Sequence, residues 1–363
     1  MTRQQWLIVI CVSVLGCLAP AAYAEPYLAA RTGSKCMACH SNPTGGGKRT
    51  VFGRNYGTMQ LPADSDLGAS QFGDAAVAGL LDFGADLRAS ASATAIPDQR
   101  DENEFATERG TIYLEYMLID DRLSLYVDQQ FAPGISNREA RGIFWNASRE
   151  YYIKFGRMFL PYGIRLEDDS AFVRAVPGIN FNTPDDGVEF GVEKGPWSNQ
   201  LALSNGAGGG RENNRGKRMS LRSEYVTPSW RVGGSLNAND GDDEPDRNMY
   251  NLFGLASWYG AEWLAEVDVV RDEGNGTADR EQLIYLFEIN KEVVEGHNVK
   301  YTYEFHDPDR DLDEDERVRN SLIWEYVPVR NFQTRVGLRV ADGIPQNSQQ
   351  NADLLFAQIH LWY

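Results

Sequence analysis

From about residue 77 to the end, the chain alternates apolar and polar residues in segments about ten residues long. Leu81, Phe83, Ala85, Leu87 and Ala89 fall on one side of such a segment; Asp82, Gly84, Asp86, Arg88 and Ser90 fall on the other. Trp263, Ala265, Val267 and Val269 oppose Glu262, Leu264, Glu266 and Asp268 in the same way. So do Phe332, Thr334, Val336, Leu338 and Val340 against Gln333, Arg335, Gly337 and Arg339. Side chains along a strand point to opposite faces in turn, so each segment predicts a strand with one oily and one charged surface. No helical period persists over this stretch.

The connections alternate too. Short turns fall at 120–121, 148–149, 194–196, 227–228, 259–260, near 295–296 and at 328–329. Long polar loops fall near 92–102, 132–139, 161–186, 206–216, 239–247, 271–280, 306–316 and 342–351. Seven turns and eight loops make fifteen connections, which join sixteen strands. An even strand number, with short turns at one end and long loops at the other, predicts an all-β fold: a 16-stranded antiparallel outer-membrane β-barrel over 77–363. The final face Leu355, Ala357, Ile359, Leu361 and Tyr363 ends on an aromatic. Its parity sends Gln358, His360 and Trp362 to the lumen. A soluble antiparallel barrel or sandwich has the same periodicity with its oily face inward, so period alone leaves that alternative open.

The beginning of the chain reads differently. Arg3, the apolar run Trp6 to Pro20 and Ala22-Tyr23-Ala24 predict an export signal over 1–24 with Glu25 as the first mature residue. Val14-Leu15-Gly16-Cys17 is a weaker lipoprotein-like alternative. Residues 25–66 are rich in Gly, Asn, Thr and basic groups and show no strand pattern; 67–76 read as a linker to the barrel. The formal charge of −17 argues against a nucleic-acid partner and suits a surface that faces cations.

Composition adds the chemistry. The four cysteines are at 11, 17, 36 and 39, so cleavage after Ala24 leaves only the pair in Cys36-Met37-Ala38-Cys39-His40. Two thiols at this spacing, followed at once by His, predict one covalent haem c: thioethers at Cys36 and Cys39, and His40 as proximal iron ligand. A zinc site would need further cysteines, and a redox dithiol a βαβ setting that is missing. Met59 ranks first as a sixth iron ligand, His360 second and His306 third; the bland alternatives are a packing Met and polar wall residues. An even-stranded barrel has both its ends on the periplasmic side, so a haem domain of about forty residues would sit at the mouth or plug the lumen.

The segment PYLAARTGSKCMACHSNPTGGGKRTVFGRNYG followed by a barrel resembles the fused outer-membrane monohaem cytochrome c–porins, which include iron-oxidising proteins. The resemblance rests on Arg31-Thr32-Gly33 before Cys36, Pro43 after His40, and Phe52-Gly53. It covers about the first forty mature residues by motif and the rest by architecture. It implies an outer-membrane electron conduit between an extracellular donor or acceptor, Fe(II) among them, and a periplasmic cytochrome. Gly45-Gly46-Gly47 departs from that family, and Phe155 to Gly163 looks more like general porins. The alternative is a solute-diffusion porin with an accessory periplasmic haem domain. The acidic loop 307–316 and the stretch 240–246 suit divalent ions bridged to lipopolysaccharide, or a landing site for an extracellular metal ion. Arg157, Arg335, Arg339, Glu262 and Glu266 are expected to line the lumen, tuning ion passage in an open pore or holding a plug in a closed one.

Overall fold

The computed structural model describes residues 25–68, 76–77, 80–212, 214–240, 246–274 and 279–363. The expected signal over 1–24 and most of the expected linker lie outside the described residues. Sixteen strands follow in order. They are β1 (Leu81–Ala95), β2 (Glu102–Ile119), β3 (Leu123–Ala132), β4 (Ser136–Trp145), β5 (Tyr151–Met158), β6 (Asp185–Val192), β7 (Trp197–Ser204) and β8 (Arg218–Val226). Then come β9 (Trp230–Asn239), β10 (Asp246–Trp258), β11 (Ala261–Glu273), β12 (Arg280–Val294), β13 (His297–Asp307), β14 (Arg317–Arg330), β15 (Phe332–Asp342) and β16 (Asp353–Trp362). Each pairs antiparallel with its neighbour. β16 closes on β1 from Asp353 opposite Ala95 to Trp362 opposite Asp86, so the barrel has no free edge.

The two faces are inverted relative to a soluble protein. Leu252 is 67% exposed on the outer wall, and Leu203, Leu322, Leu338 and Ile359 are exposed with it. Lys154, Asp268, Glu189 and Asn290 are wholly buried inside. An oily exterior around a charged interior excludes the soluble alternative left open by periodicity. It is the surface a barrel presents to lipid, where every backbone N–H and C=O must be paired within the wall.

The connections alternate as predicted with two exceptions: the long loop expected at 132–139 is only residues 133–135 between β3 and β4, and the turn expected at 328–329 falls at Asn331, because β14 runs on to Arg330. Six of the seven short turns carry a residue in the left-handed region, such as Asp121 (φ 53°) and Asn331 (φ 65°). The seventh closes through Thr227, whose N–H donates to the Trp230 carbonyl at 2.9 Å while its hydroxyl accepts from the Trp230 N–H at 3.0 Å. Around this end lies a belt of exposed rings, among them Trp197, Trp230, Trp258 and Tyr259, placed as aromatic girdles are at a membrane interface.

A further connection departs more deeply from expectation. Residues 159–184, between β5 and β6, form no outer polar loop. They fold into the lumen, with one helical turn at Phe172–Ala175. Phe159, Leu160, Tyr162, Ile164, Leu166, Phe172 and Val173 are buried there. That many apolar side chains would not stay in water, and the lumen offers them a core.

The N-terminal segment shares that core. Helices α1 (Pro26–Thr32), α2 (Cys36–Cys39) and α3 (Val51–Met59) lie inside the short-turn half of the barrel, where Tyr27, Leu28 and Ala30 join the apolar cluster of the inward loop. Charged bonds tie the segment to opposite walls. Arg31 grips Glu262 of β11 with two nitrogens, at 3.1 and 2.9 Å. The Tyr27 hydroxyl donates to Glu325 of β14 at 2.8 Å. Asn42 donates to Glu139 of β4 at 3.1 Å, and Lys48 pairs with Glu115 of β2 at 3.2 Å. The chain leaves the lumen through Asp64–Gly68, which runs parallel to the end of β14.

The inverted faces yield a test. Leu252→Arg should lower unfolding stability in lipid vesicles by about 2–4 kcal/mol, measured by urea titration, because it places a cation against hydrocarbon. A change within about 0.5 kcal/mol, typical of an exposed site in water, would contradict a lipid-facing wall.

Candidate functional site

The site begins with one helical turn. Cys36 and Cys39 are three residues apart on α2, so both thiols lie on one side of it. His40 ends that helix in an extended conformation, its N–H donating to the Cys36 carbonyl at 3.0 Å. The chain then doubles back. His40 bridges to Arg49, and the Thr50 N–H donates to the Cys39 carbonyl at 2.9 Å. The Thr50 side chain caps α3 by accepting from the Gly53 N–H at 3.1 Å, and it also donates to the Ala38 carbonyl at 2.5 Å. One threonine therefore locks the cysteine turn to the helix that follows.

The Gly45-Gly46-Gly47 feature has a physical account. All three have positive φ, at 90°, 82° and 67°. A Cβ on Gly46 would lie 2.3 Å from the Phe181 ring of the inward loop, and one on Gly47 2.5 Å from the Tyr126 hydroxyl of β3. The reversal after His40 is thus pressed between the barrel wall and the inward loop with no room for a side chain. Gly53 permits a second close approach: a Cβ there would lie 2.2 Å from the Cys39 carbonyl oxygen.

Cys36, Cys39 and His40 all line a cavity of about 1200 Å³, partly open to solvent, within the barrel. Its apolar walls come from Leu28, Leu61, Ile164, Phe253, Leu255 and Trp362. Its charge is lopsided. Seven arginines and Lys35 line it, against the four carboxylates Glu25, Asp86, Glu167 and Glu224. A chain of formal charge −17 has gathered a cationic cavity around its two thiols.

These groups fit a covalently bound haem. The Nδ1 of His40 is buried with no hydrogen-bond partner. Burial and Arg49 push the imidazole pKa down to about 3, so it is neutral, as an iron ligand must be. Burial raises both thiols, Cys39 to about 11. Apolar walls suit a porphyrin face, and an excess of cations suits its carboxylates. Cys36, Cys39 and His40 would hold the group.

Of the three candidate sixth ligands, the structure brings none into the cavity wall. Met59 ends α3 with 56% of its surface exposed, outside the lining. His306 faces the lumen as its parity predicts, but bonds Gln282 at 3.1 Å away from the site. His360 is closer. Its Nε2 lies 2.8 Å from Asp86, and its ring is 5.5 Å from that of Trp362; both partners line the cavity. Among the described residues, His40 is the one His or Met in that wall.

The expected lumen residues serve mainly as anchors. Glu262 holds Arg31, and Arg335 meets Glu25 at 3.3 Å. Glu266 binds Arg174 and accepts from the Ile164 N–H at 2.9 Å. Arg339 donates to Ser170 at 3.3 Å. Arg157 is the exception: it shares parity with the exposed Ile153 and Phe155, and it donates to the Asn137 carbonyl at the rim. Sequence reading passed over Arg109, Arg138, Arg222 and Arg231. Strand parity, opposite to oily neighbours, was the available signal for Arg109, Arg222 and Arg231; Arg138 shares parity with exposed Phe144 and turns inward at an irregularity in the β3–β4 register. Arg165 gave none, because its loop turns inward.

A second cavity, of about 1810 Å³, lies toward the long-loop end. Glu167 of the inward loop, bound to Arg88 and Arg109, stands between the two cavities and lines both. Among the described residues, no three His, Cys, Asp or Glu side chains are grouped to hold a metal ion. Most of the acidic stretch 240–246 lies outside them.

Neither a protein-family profile nor a curated protein's sequence matches this chain. Solved structures do. The anion-selective porin from Comamonas acidovorans superposes with a TM-score of 0.63 at 9% identity, covering 78% of this chain and 99% of its own. OmpT of Vibrio cholerae, as a loop-deletion mutant, gives 0.60 at 13% identity with the same coverage. OprB of Pseudomonas putida gives 0.59 at 9%, covering 78% and 94%. The fold is that of outer-membrane porins.

The tight reversal predicts a local effect. Gly46→Val should destabilise docking of the N-terminal segment by about 1–3 kcal/mol. Amide exchange should then quicken across residues 36–59 and stay slow in the strands. Equal quickening of strands and segment would refute the close approach as its cause.

Proposed function

We propose that this protein is a one-haem electron conduit built into a porin-type barrel in the outer membrane. Cys36, Cys39 and His40 inside a cationic lumenal cavity carry this reading. A haem attached there would supply reversible one-electron chemistry. The chain's own residues do the rest. Cys36 and Cys39 would hold the group through thioether links, and His40, placed by the reversal at Gly45 to Gly47, would ligate its iron. The barrel wall keeps lipid away, and the inward loop covers part of the cavity. The N-terminal segment occupies the short-turn half, where a periplasmic cytochrome would exchange electrons. The outer cavity leads from the long-loop end, where an extracellular donor or acceptor would approach.

A second reading is a solute channel. The likeness to porins favours it over the conduit, and the outer cavity is the observation within this chain that supports it. The comparison proteins include an anion-selective porin and an outer membrane channel of Acinetobacter baumannii, and the cationic inner cavity would suit an anionic solute. The N-terminal segment sits badly with this reading, because it lies within the lumen instead of hanging below it.

Protein expressed with a haem-attachment system should show a c-type absorption spectrum and pass electrons into reductant-loaded vesicles. The Cys36→Ala, Cys39→Ala protein should lose both. In planar bilayers the intact protein should conduct weakly, and deletion of residues 25–66 should open it. Large conductance in an intact, haem-free protein would overturn the conduit and establish the channel.

A further inference from the structure

Three of the arginines around the cavity differ from the others. Arg88 and Arg109 meet Glu167, and Arg222 and Arg231 meet Glu224. Arg49, Arg138 and Arg165 form no ion pair with a described carboxylate. Arg49 lies 5.3 Å from the Trp362 ring. Arg138 donates to the Phe181 carbonyl at 3.3 Å, and its Nη1 is buried without a partner. Arg165 donates only to neutral oxygens, of Thr44 and Leu160. Arg138 and Arg165 flank the same Phe181 ring, at 5.0 and 5.4 Å. That ring packs against Gly46. A guanidinium is always charged, and burying one without a directly bonded counter-ion is costly; the carboxylates that act on these three, Asp86 on Arg49, Asp128 and Asp169 on Arg138 and Glu139 on Arg165, lie beyond ion-pair distance. Three such groups converge on a cavity that already holds both thiols.

We infer that Arg49, Arg138 and Arg165 form a clamp for the two carboxylates of the haem held by Cys36 and Cys39. This rests on the haem reading of the site and adds residues to it. Each carboxylate would take charge-assisted bonds from guanidinium forks, which match its planar geometry. The three come from the N-terminal segment, from β4 and from the inward loop. The clamp would therefore fasten those three parts to one another through the cofactor. With three guanidiniums against two carboxylates, it would also leave net positive charge beside the porphyrin edge, which favours the reduced state.

The test uses full-length protein purified with its haem. Absence of any c-type spectrum would sink the underlying haem reading, and this clamp with it. With haem present, Arg138→Met and Arg165→Met should each lower the ratio of reduced to oxidised protein at a fixed applied potential by about tenfold. Arg138→Lys and Arg165→Lys should restore most of that ratio. Redox-difference infrared spectra should show carboxylate bands that shift in the Met variants. Potentials and carboxylate bands unchanged in the Met variants would overturn the clamp and leave the haem reading intact. A control for folding runs in the Cys36→Ala, Cys39→Ala background. There Arg165→Met should raise the urea midpoint, since it removes a buried cation with no partner, whereas in the haem-loaded protein it should lower it. The same sign in both backgrounds would also overturn the proposal.

Discussion

Everything in this molecule follows from one requirement: a sheet in hydrocarbon must satisfy its own backbone. Closing β16 on β1 meets it, and closure then dictates where each side chain goes. Oily residues turn outward, so polar and charged ones have only the lumen left. A cylinder lined with Glu, Asp, Arg and Lys cannot remain a low-dielectric void. It must be filled by water or by partners of opposite charge. Here much of the filling is protein. The N-terminal segment and the inward loop present Arg31, Asn42, Lys48 and Arg174 to the wall's carboxylates.

Read in this light, the site is the remainder of an incomplete filling. Where segment and loop meet the wall, most charges find mates. Beside Cys36, Cys39 and His40, Arg49, Arg138 and Arg165 do not, and the surplus in the lining is positive. A protein acidic overall would not assemble such a surplus through general composition. Two features of the cavity bear on what could fill it: two thiols in its wall, and cations with no carboxylate in direct contact. The solute-channel reading uses the second feature and leaves the first without a purpose.

Much of the barrel was legible in the sequence because its two signals are local. Alternation over ten residues gives faces, and turn length gives ends; both were readable for Asp86, His306 and His360 without knowing what they touch. Legibility failed where an element's fate depends on distant partners. Residues 159–184 look like one more long loop until their apolar content is set against a lumen that can bury it. Met59 looked like a ligand by proximity in sequence, yet α3 turns it outward. Gly45-Gly46-Gly47 read as an unexplained departure, because the Tyr126 and Phe181 that crowd it are far away in the chain. Arg138 and Arg165 were invisible as a pair, since the rings of Phe159 and Phe181 bring them together only in the folded chain.

The hydrogen bond from Tyr27 to Glu325 spans 298 residues. Glu25 reaches still further, to Arg335, and Arg49 to Trp362. A ribosome delivers the N-terminal segment first, yet its anchoring partners arrive almost last. Loop-closure entropy opposes such contacts until the intervening strands have paired. The cavity around His40 therefore cannot exist in a partly synthesised or truncated chain. Its completion reports that the whole barrel is in place, which makes the pocket a built-in certificate of length.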